Sequence, residues 1–263
     1  MSKLAQVTKV TAGSLILLLV PASRAAAHQG AKRALRTDGV GSAQAAAGRT
    51  AYLKAFVINE RLSVLRREPG LRSQVVRRLR LGHPVFILST SKPKTGQPRF
   101  CRVAVTRRTR GWVHESALGV PSRRGDDRRI MSLIEGSSDA FDRITLCRII
   151  IERFSYSQFV PHALLLLGEE AERVADTLSQ RTRRRLAEVR GTDASLRDYY
   201  LSDAGLDRYS RLGIVFDFNE STGEFIYDGK AYREIIMRFP KREEARLARE
   251  RMDLTNQKTA RQQ

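Results

Sequence analysis

The sequence predicts a protein of two domains, a small all-β domain followed by an α-helical domain. From about residue 50 to residue 121, short apolar-alternating runs are separated by Pro and Gly turns, which is typical of a small antiparallel barrel. Beyond residue 128 the apolar period changes from two to about three and a half, as in amphipathic helices. We therefore expect a barrel over 50–121, a polar linker over 122–128 and a helical domain over 129–254.

The N-terminus carries the pattern of an export signal. Lys3 and Lys9 precede an apolar run over 15–20, which Pro21 ends, and three alanines over 25–27 follow. A basic start, a short apolar core and a small-residue cleavage site are typical of a secretory signal peptide, and this run is too short to span a bilayer. We expect a signal peptide over 1–27 and a disordered linker over 28–49. The alternative is a buried N-terminal helix.

Five landmarks follow one another in the β region. They are Leu65-Arg66 with Pro69, Leu79 with Gly82, Val85 with Ile87, Phe100 with Val103, and Gly111-Trp112-Val113 with Leu118. Their order and spacing resemble the bacterial SH3-like (SH3b) domain over roughly a quarter of the chain. The resemblance implies a docking module rather than a catalyst. The expected structural anchors are Leu65, Pro69, Gly82, Gly111 and Trp112, and Trp112 is expected in the barrel core.

The region after residue 128 has helical spacing in three stretches, over 130–134, 141–154 and 163–178. Pro161 suits the first turn of the third stretch. Over 214–227, apolar alternation around a turn that contains Gly223 predicts a β-hairpin inserted among the helices. Residues 255–263 are polar and are expected to form a frayed tail.

An internal repeat lies in the helical region. Residues 147–154 and 232–239 share Arg, Ile, Ile, Arg and Phe at identical offsets, and Ala163 and Ala248 each follow their phenylalanine by nine residues. The pattern resembles tetratricopeptide-type helical hairpins, in particular the variant whose first helix ends in an aromatic–Pro pair, as Phe239-Pro240 does. The copies lie 85 residues apart, which is not a whole number of 34-residue units. We expect related hairpins rather than a regular array; an unrelated helical bundle is the alternative.

The chain is strongly basic. Its formal charge is +20, and 39 of its 48 basic residues are arginines distributed along the sequence. Three explanations are open: nucleotide composition of the genome, an anionic cell-surface polymer as ligand, or nucleic acid, which export disfavours. Alternation along strands would place some arginines of the β region on one outer face, and a merely solvated basic surface is the alternative. The candidate ligand-binding residues are Arg66, Arg77, Arg78, Arg80, Arg108 and Arg110.

Motifs for catalysis or metal binding are missing from the sequence. No two of its four histidines have metal-ligand spacing, neither cysteine forms a C-x-x-C pair, and no nucleophile elbow, phosphate loop or dinucleotide fingerprint is present. We expect no cofactor. Cys101 and Cys147 are expected to be separate, buried thiols, with a disulfide between the domains as the alternative.

Together these patterns predict a non-enzymatic, exported binding or scaffold protein of the cell envelope, periplasmic or extracellular. Its SH3-like domain would engage a cell-wall component or a partner peptide, and the helical domain would dock an envelope protein. No transmembrane segment is expected in the mature chain. The alternatives are an accessory cell-wall enzyme with an unrecognised site and a nucleic-acid-binding protein.

Overall fold

A computed structural model describes residues 52–92, 95–188, 205–219 and 222–260. In these ranges an antiparallel sheet of seven strands precedes a helical region. The predicted signal peptide over 1–27 and the predicted linker over 28–49 lie outside the described residues. In the described ranges, no helix combines the length and the apolar character needed to cross a bilayer.

The seven strands form one antiparallel sheet in the order β3-β2-β6-β5-β4-β1-β7. Edge strands β3 and β7 do not pair with each other among the described strands, so the sheet is not closed by hydrogen bonds. The strands are β1 (Leu53–Val57), β2 (Val64–Arg66), β3 (Val75–Arg78), β4 (Pro84–Thr90), β5 (Phe100–Ala104), β6 (Arg110–His114) and β7 (Leu118–Gly119).

The sheet core forms from side chains at alternating strand positions. Leu65, Val85, Val103 and Val113 are buried together, each on a different strand. Because successive side chains of a strand point to opposite faces, the residues between them lie on the other face. That other face of the sheet carries the candidate site.

Among its described residues, the helical region contains six helices and a two-stranded hairpin. The hairpin is present within the range that the sequence predicts, and the predicted tail over 255–263 contributes its first residues to the last helix. The elements are α1 (Asp126–Gly136), α2 (Ala140–Arg153), α3 (Val160–Glu188), α4 (Leu206–Ser210), β8 (Phe216–Asn219), β9 (Glu224–Tyr227), α5 (Lys230–Arg238) and α6 (Glu243–Ala260).

The internal repeat corresponds to two helical hairpins, α2–α3 and α5–α6. Both first helices end in the same way: the N–H of Phe154 donates to the carbonyl of Ile150 at 3.0 Å, and the N–H of Phe239 donates to that of Ile235 at 2.8 Å. Ala163 and Ala248 are both fully buried. Small residues at these positions allow the second helix of each hairpin to approach its neighbours closely.

The sheet and the helices share a packed joint, where the sequence had indicated a polar linker over 122–128. Asp126 begins α1, is only 3% exposed, and accepts the backbone N–H of Val120 at 2.7 Å. Arg123 and Arg129 flank this carboxylate at 3.8 and 3.5 Å. Phe56 of β1 packs in the helical core, so the two regions also share apolar contacts.

Candidate ligand-binding face of the sheet

Cations and aromatic rings occupy the outer face of the sheet in two cross-strand rows. In the first row, Trp112 of β6 stands between Arg66 of β2 and Arg102 of β5. In the second row, Phe86 of β4 stands opposite Lys54 of β1 on one side and Ala104 of β5 on the other. Ala104 in turn pairs with Arg110 of β6. We call this surface the basic–aromatic face: Lys54, Arg66, Phe86, Arg102, Arg110 and Trp112.

Strand alternation explains why these side chains point outward. On β5, Cys101 and Val103 are fully buried, which leaves Arg102 between them on the exposed face. On β4, Val85 and Ile87 are buried, and Phe86 is 45% exposed. Leu53, Val75 and Val76 are exposed to a similar degree, and Phe86 is distinguished from them by its position opposite the cation Lys54.

The expectation that Trp112 is a core anchor is wrong. Gly111 and Val113 take the buried positions of β6, and Trp112 lies half-buried between them on the outer face. Gly111 is required by its surroundings, since a Cβ there would lie 2.6 Å from the carbonyl oxygen of Arg66 and 2.8 Å from Cγ of Leu65. Strands β2 and β6 therefore approach each other closely at the glycine, and the tryptophan is displayed beside it.

The spacing of the cations follows from the sheet geometry. Neighbouring strands lie about 4.8 Å apart, so the backbones at Arg66 and Arg102 are separated by about 10 Å across Trp112. Arg110 is two residues from Trp112 on the same strand, which places it about 7 Å along the sheet. Three arginines thus neighbour Trp112 on the same side of the sheet, an arrangement that suits a ligand with several negative charges and an apolar part.

The cations of this face are not neutralised by the protein. Among the described residues, no ion pair joins Lys54, Arg66, Arg102 or Arg110 to a carboxylate; the ion pairs of the sheet region lie at Glu115, which contacts Arg99. Nη1 of Arg66 does donate to the carbonyl of Ser73 at 2.7 Å. This bond orients the guanidinium against the loop between β2 and β3 without cancelling its charge.

The positive charge of the chain is concentrated in the sheet region. Residues 50–121 contain fifteen Lys and Arg against three Asp and Glu, a net charge of +12, whereas residues 129–254 contain twenty-one against twenty-two, a net charge of −1. The arginines are widely distributed, but only in the helical region are they balanced by acidic residues. Genome composition would raise arginine in both regions; it does not explain why acidic residues are depleted in one of them.

The other predicted ligand residues are exposed but do not form one surface. Arg78 stands opposite Val64 and Arg77 opposite Leu65, so neighbouring arginines of edge strand β3 lie on different faces. Burial and the nearby charge of Arg77 lower the pKa of His83. Arg80 follows β3, and Arg108 lies in the turn between β5 and β6. Of the six predicted residues, Arg66 and Arg110 belong to the basic–aromatic face, and Arg78 lies on the same side of the sheet because its partner Val64 is two residues from Arg66 on β2.

Sequence reasoning missed Lys54, Phe86 and Arg102. The signal for Arg102 was present, because Cys101 and Val103 are both apolar and a residue between two inward positions of a strand must point outward. The signal for Phe86 was misleading, since the run Val85-Phe86-Ile87 is apolar throughout. Only the pairing of Phe86 with Lys54 and Ala104 reveals its face.

Neither cysteine has the environment of a nucleophile. Both are buried and unpaired, which confirms the prediction of two separate thiols. Burial raises the pKa of Cys147 to about 12 and also raises that of Cys101. A thiol must ionise to attack a substrate, so these side chains favour a structural role. In the described part of the chain, no group of three or more His, Cys, Asp or Glu residues could hold a metal ion.

No protein-family model, curated protein or solved structure matches this chain. A function is therefore inferred from the geometry and charge of the basic–aromatic face. That face can bind anions and apolar rings. It presents cations and aromatic rings, and the imidazole of His114, two residues from Trp112 on β6, lies on the same side of the sheet and accepts the N–H of Ser116 at 3.2 Å.

Proposed function

We propose that this chain is an exported, non-enzymatic binding protein of the cell envelope, whose basic–aromatic face binds an anionic cell-wall polymer. The observation that carries the proposal is the row Arg66–Trp112–Arg102, in which two unneutralised guanidinium groups flank an outward tryptophan. Guanidinium groups present planar, rigid hydrogen-bond donors that match phosphate and carboxylate groups. The aromatic rings add large apolar contact area with few rotatable bonds.

The distribution of charge supports a polymeric partner. A net charge of +12 within 50–121 gives a field that extends beyond any single contact and attracts a polyanion from a distance. Binding of such a partner releases its counterions, so affinity should fall steeply as salt rises. A small, singly charged ligand would need far fewer unpaired cations.

We also propose that the seven-stranded sheet is an SH3-like domain. Three of its landmarks occupy positions that suit this fold. Leu65 is fully buried in the sheet core, Gly82 has a positive φ of 77° in the turn before β4, and Gly111 lies where β2 and β6 come closest. Pro69 is exposed in the loop after β2.

The helical region is proposed to be a tetratricopeptide-like docking domain. Two hairpins with the same helix ending, α2–α3 and α5–α6, support this proposal, and their spacing in sequence leaves room for the β8–β9 hairpin between them. In this role the helical region would hold an envelope protein while the sheet holds the wall polymer.

Sedimentation with isolated wall polymer at about 50 and about 300 mM salt tests the proposed function, because charge–charge attraction is screened over this range. The mature chain should bind at the lower concentration and lose most of its binding at the higher one. The double variant Arg66→Gln/Arg102→Gln should bind weakly at both. Its matched control is Arg181→Gln/Arg211→Gln, which removes the same charge from exposed positions of the helical region.

If both double variants lose binding equally, net charge rather than the basic–aromatic face attracts the polymer, and the proposal fails. Tighter binding to a single-stranded oligonucleotide than to wall polymer would favour the nucleic-acid alternative. Export is tested separately by the intact mass of protein taken from native cells. A mature species beginning near His28 is expected, and one that retains Met1 would contradict export.

A further inference from the structure

A second candidate site lies in the helical region, between the first helices of the two hairpins. It is a cavity of about 280 Å³ bounded by α2, α3, the segment after α4, and α5. Its floor is apolar and belongs to the buried core: Leu164, Leu167, Ile214, Tyr227 and Ala231. This volume lies just below the usual range for small-ligand pockets, so the cavity suits a short ligand with an apolar part.

The floor offers one polar group, a hydroxyl that is used as a hydrogen-bond acceptor but keeps its own O–H as a donor. Its one polar side chain is Tyr227, whose hydroxyl accepts the backbone N–H of Ala231 at 2.8 Å. Burial raises the pKa of this hydroxyl well above its ordinary value, so it stays neutral. A ligand in the cavity would therefore contact the floor through apolar groups and this one neutral hydroxyl.

The rim of the cavity is charged, with one cation in excess. Arg148 pairs with Glu152 on α2, and Arg238 pairs with Glu234 on α5. Lys230, at the start of α5, also lines the cavity. In the described ranges, no carboxylate forms an ion pair with Lys230, which leaves its ammonium group available at the mouth.

Gly213 lies at the rim of the cavity, next to the guanidinium of Arg148. It has a positive φ of 67°, and a Cβ at this position would lie 3.0 Å from Nη1 of Arg148. The glycine therefore lets the chain turn while the Arg148 guanidinium lies against it at the edge of the cavity. A side chain at position 213 would therefore press on the guanidinium that pairs with Glu152.

We propose that this cavity binds an aliphatic carboxylate, with the hydrocarbon chain on the floor and the carboxylate at Lys230. Apolar burial would supply most of the affinity, and the charge of Lys230 would select the anion. A free fatty acid and the carboxyl-terminal residue of a protein both carry this chemistry. The inference goes beyond the binding of wall polymer and uses none of the residues of the basic–aromatic face.

Methyl-resolved NMR titration of the full chain tests this site. Octanoate is expected to shift the methyl signals of Leu164, Leu167 and Ile214, and octylammonium, of the same length and opposite charge, is expected to bind at least about ten-fold more weakly. Lys230→Gln should weaken octanoate binding about ten-fold, as expected for loss of one charge-assisted contact. Lys230→Arg should retain binding, and the control Lys241→Gln, at an exposed position outside the cavity, should not change it.

A parallel titration with N-acetyl-leucine separates the two sources of the carboxylate. Tighter binding of N-acetyl-leucine supports the end of a protein chain, and tighter binding of octanoate supports a fatty acid; either result supports the site. The proposal is overturned if neither ligand shifts the floor methyls at several millimolar, if octylammonium binds as well as octanoate, or if Lys230→Gln binds as the wild type does. None of these outcomes bears on the wall-polymer assay.

Discussion

Gly168 of α3 lies against the ring of Tyr232 of α5, so closely that a Cβ at position 168 would sit 2.3 Å from Cε1 of Tyr232. Tyr232 is 1% exposed and cannot move aside without disturbing the core. Gly168→Ala should therefore lower the free energy of unfolding by about 1–3 kcal/mol through overpacking, against a gain of up to about 1 kcal/mol in helix propensity. Urea denaturation measures the difference.

Gly136 provides the control for this variant. It is the last residue of α1, and a Cβ added there meets no atom within 4 Å. Gly136→Ala should leave the free energy of unfolding unchanged or raise it slightly. Equal effects of the two substitutions would mean that the Tyr232 contact is not the reason for the glycine.

The joint at Asp126 predicts a second effect on stability. Its carboxylate accepts the Val120 N–H at 2.7 Å and lies between two arginines. Asp126→Ala should lower the free energy of unfolding by about 2–4 kcal/mol, because it leaves a buried donor and the flanking cations without their acceptor. The control is Glu135→Ala, at an exposed position of the same helix. A small, equal effect in both variants would contradict the role of Asp126.

Local patterns in the sequence were sufficient to predict strands and helices wherever burial follows the period of the secondary structure. Apolar alternation marked the runs that contain Val85, Val103 and Val113, which the structure buries in the sheet core, and the repeated Arg-x-Ile-Ile-x-Arg-Phe motif marked the two helices that end alike. Both signals are local, since each strand or helix shows its own period. They predicted a β region followed by helices without any knowledge of pairing.

Non-local pairing explains what the sequence could not reveal. Gly-Trp-Val is compatible with either orientation of the tryptophan, and the choice is made by the close approach of β2 to Gly111. From the sequence, Asp126 is predicted to lie in a polar linker. Its partner is the backbone N–H of Val120, and a pattern of side chains contains no information about that contact. The basic–aromatic face likewise exists only because five strands, β1, β2, β4, β5 and β6, bring its residues into register.

Because Trp112 lies on the outer face, we expect its replacement to affect ligand binding more than the stability of the sheet. Trp112→Ala should cost less stability than Leu65→Ala, which removes a fully buried core side chain at about 2–5 kcal/mol. Trp112→Ala should also reduce binding to wall polymer several-fold. Thermal denaturation and sedimentation, run on both variants, provide the measurements. If Trp112→Ala destabilises the protein as much as Leu65→Ala does, Trp112 is a core residue and the binding role proposed for it is wrong.

Burial of Cys147 predicts a loss of stability at alkaline pH. Its pKa is raised to about 12, from near 9 for an exposed thiol, because the anion is desolvated in the helical core. Between these values the unfolded chain releases a proton that the folded chain keeps. The free energy of unfolding therefore falls as pH rises, by up to about 1.4 kcal/mol per pH unit for this group.

Urea denaturation of the wild type and of Cys147→Ala at pH 8 and pH 10 isolates this contribution. Between the two pH values the wild type should lose about 1 kcal/mol more than the variant, since the thiol is present only in the wild type. Cys101, Tyr227 and Tyr232 also have raised pKa values, but they are common to both proteins. Their effects cancel in the comparison, as does any cavity left by the substitution, which lowers stability equally at both pH values. Identical losses in the two proteins would show that the Cys147 thiol ionises as freely in the folded chain as in the unfolded one.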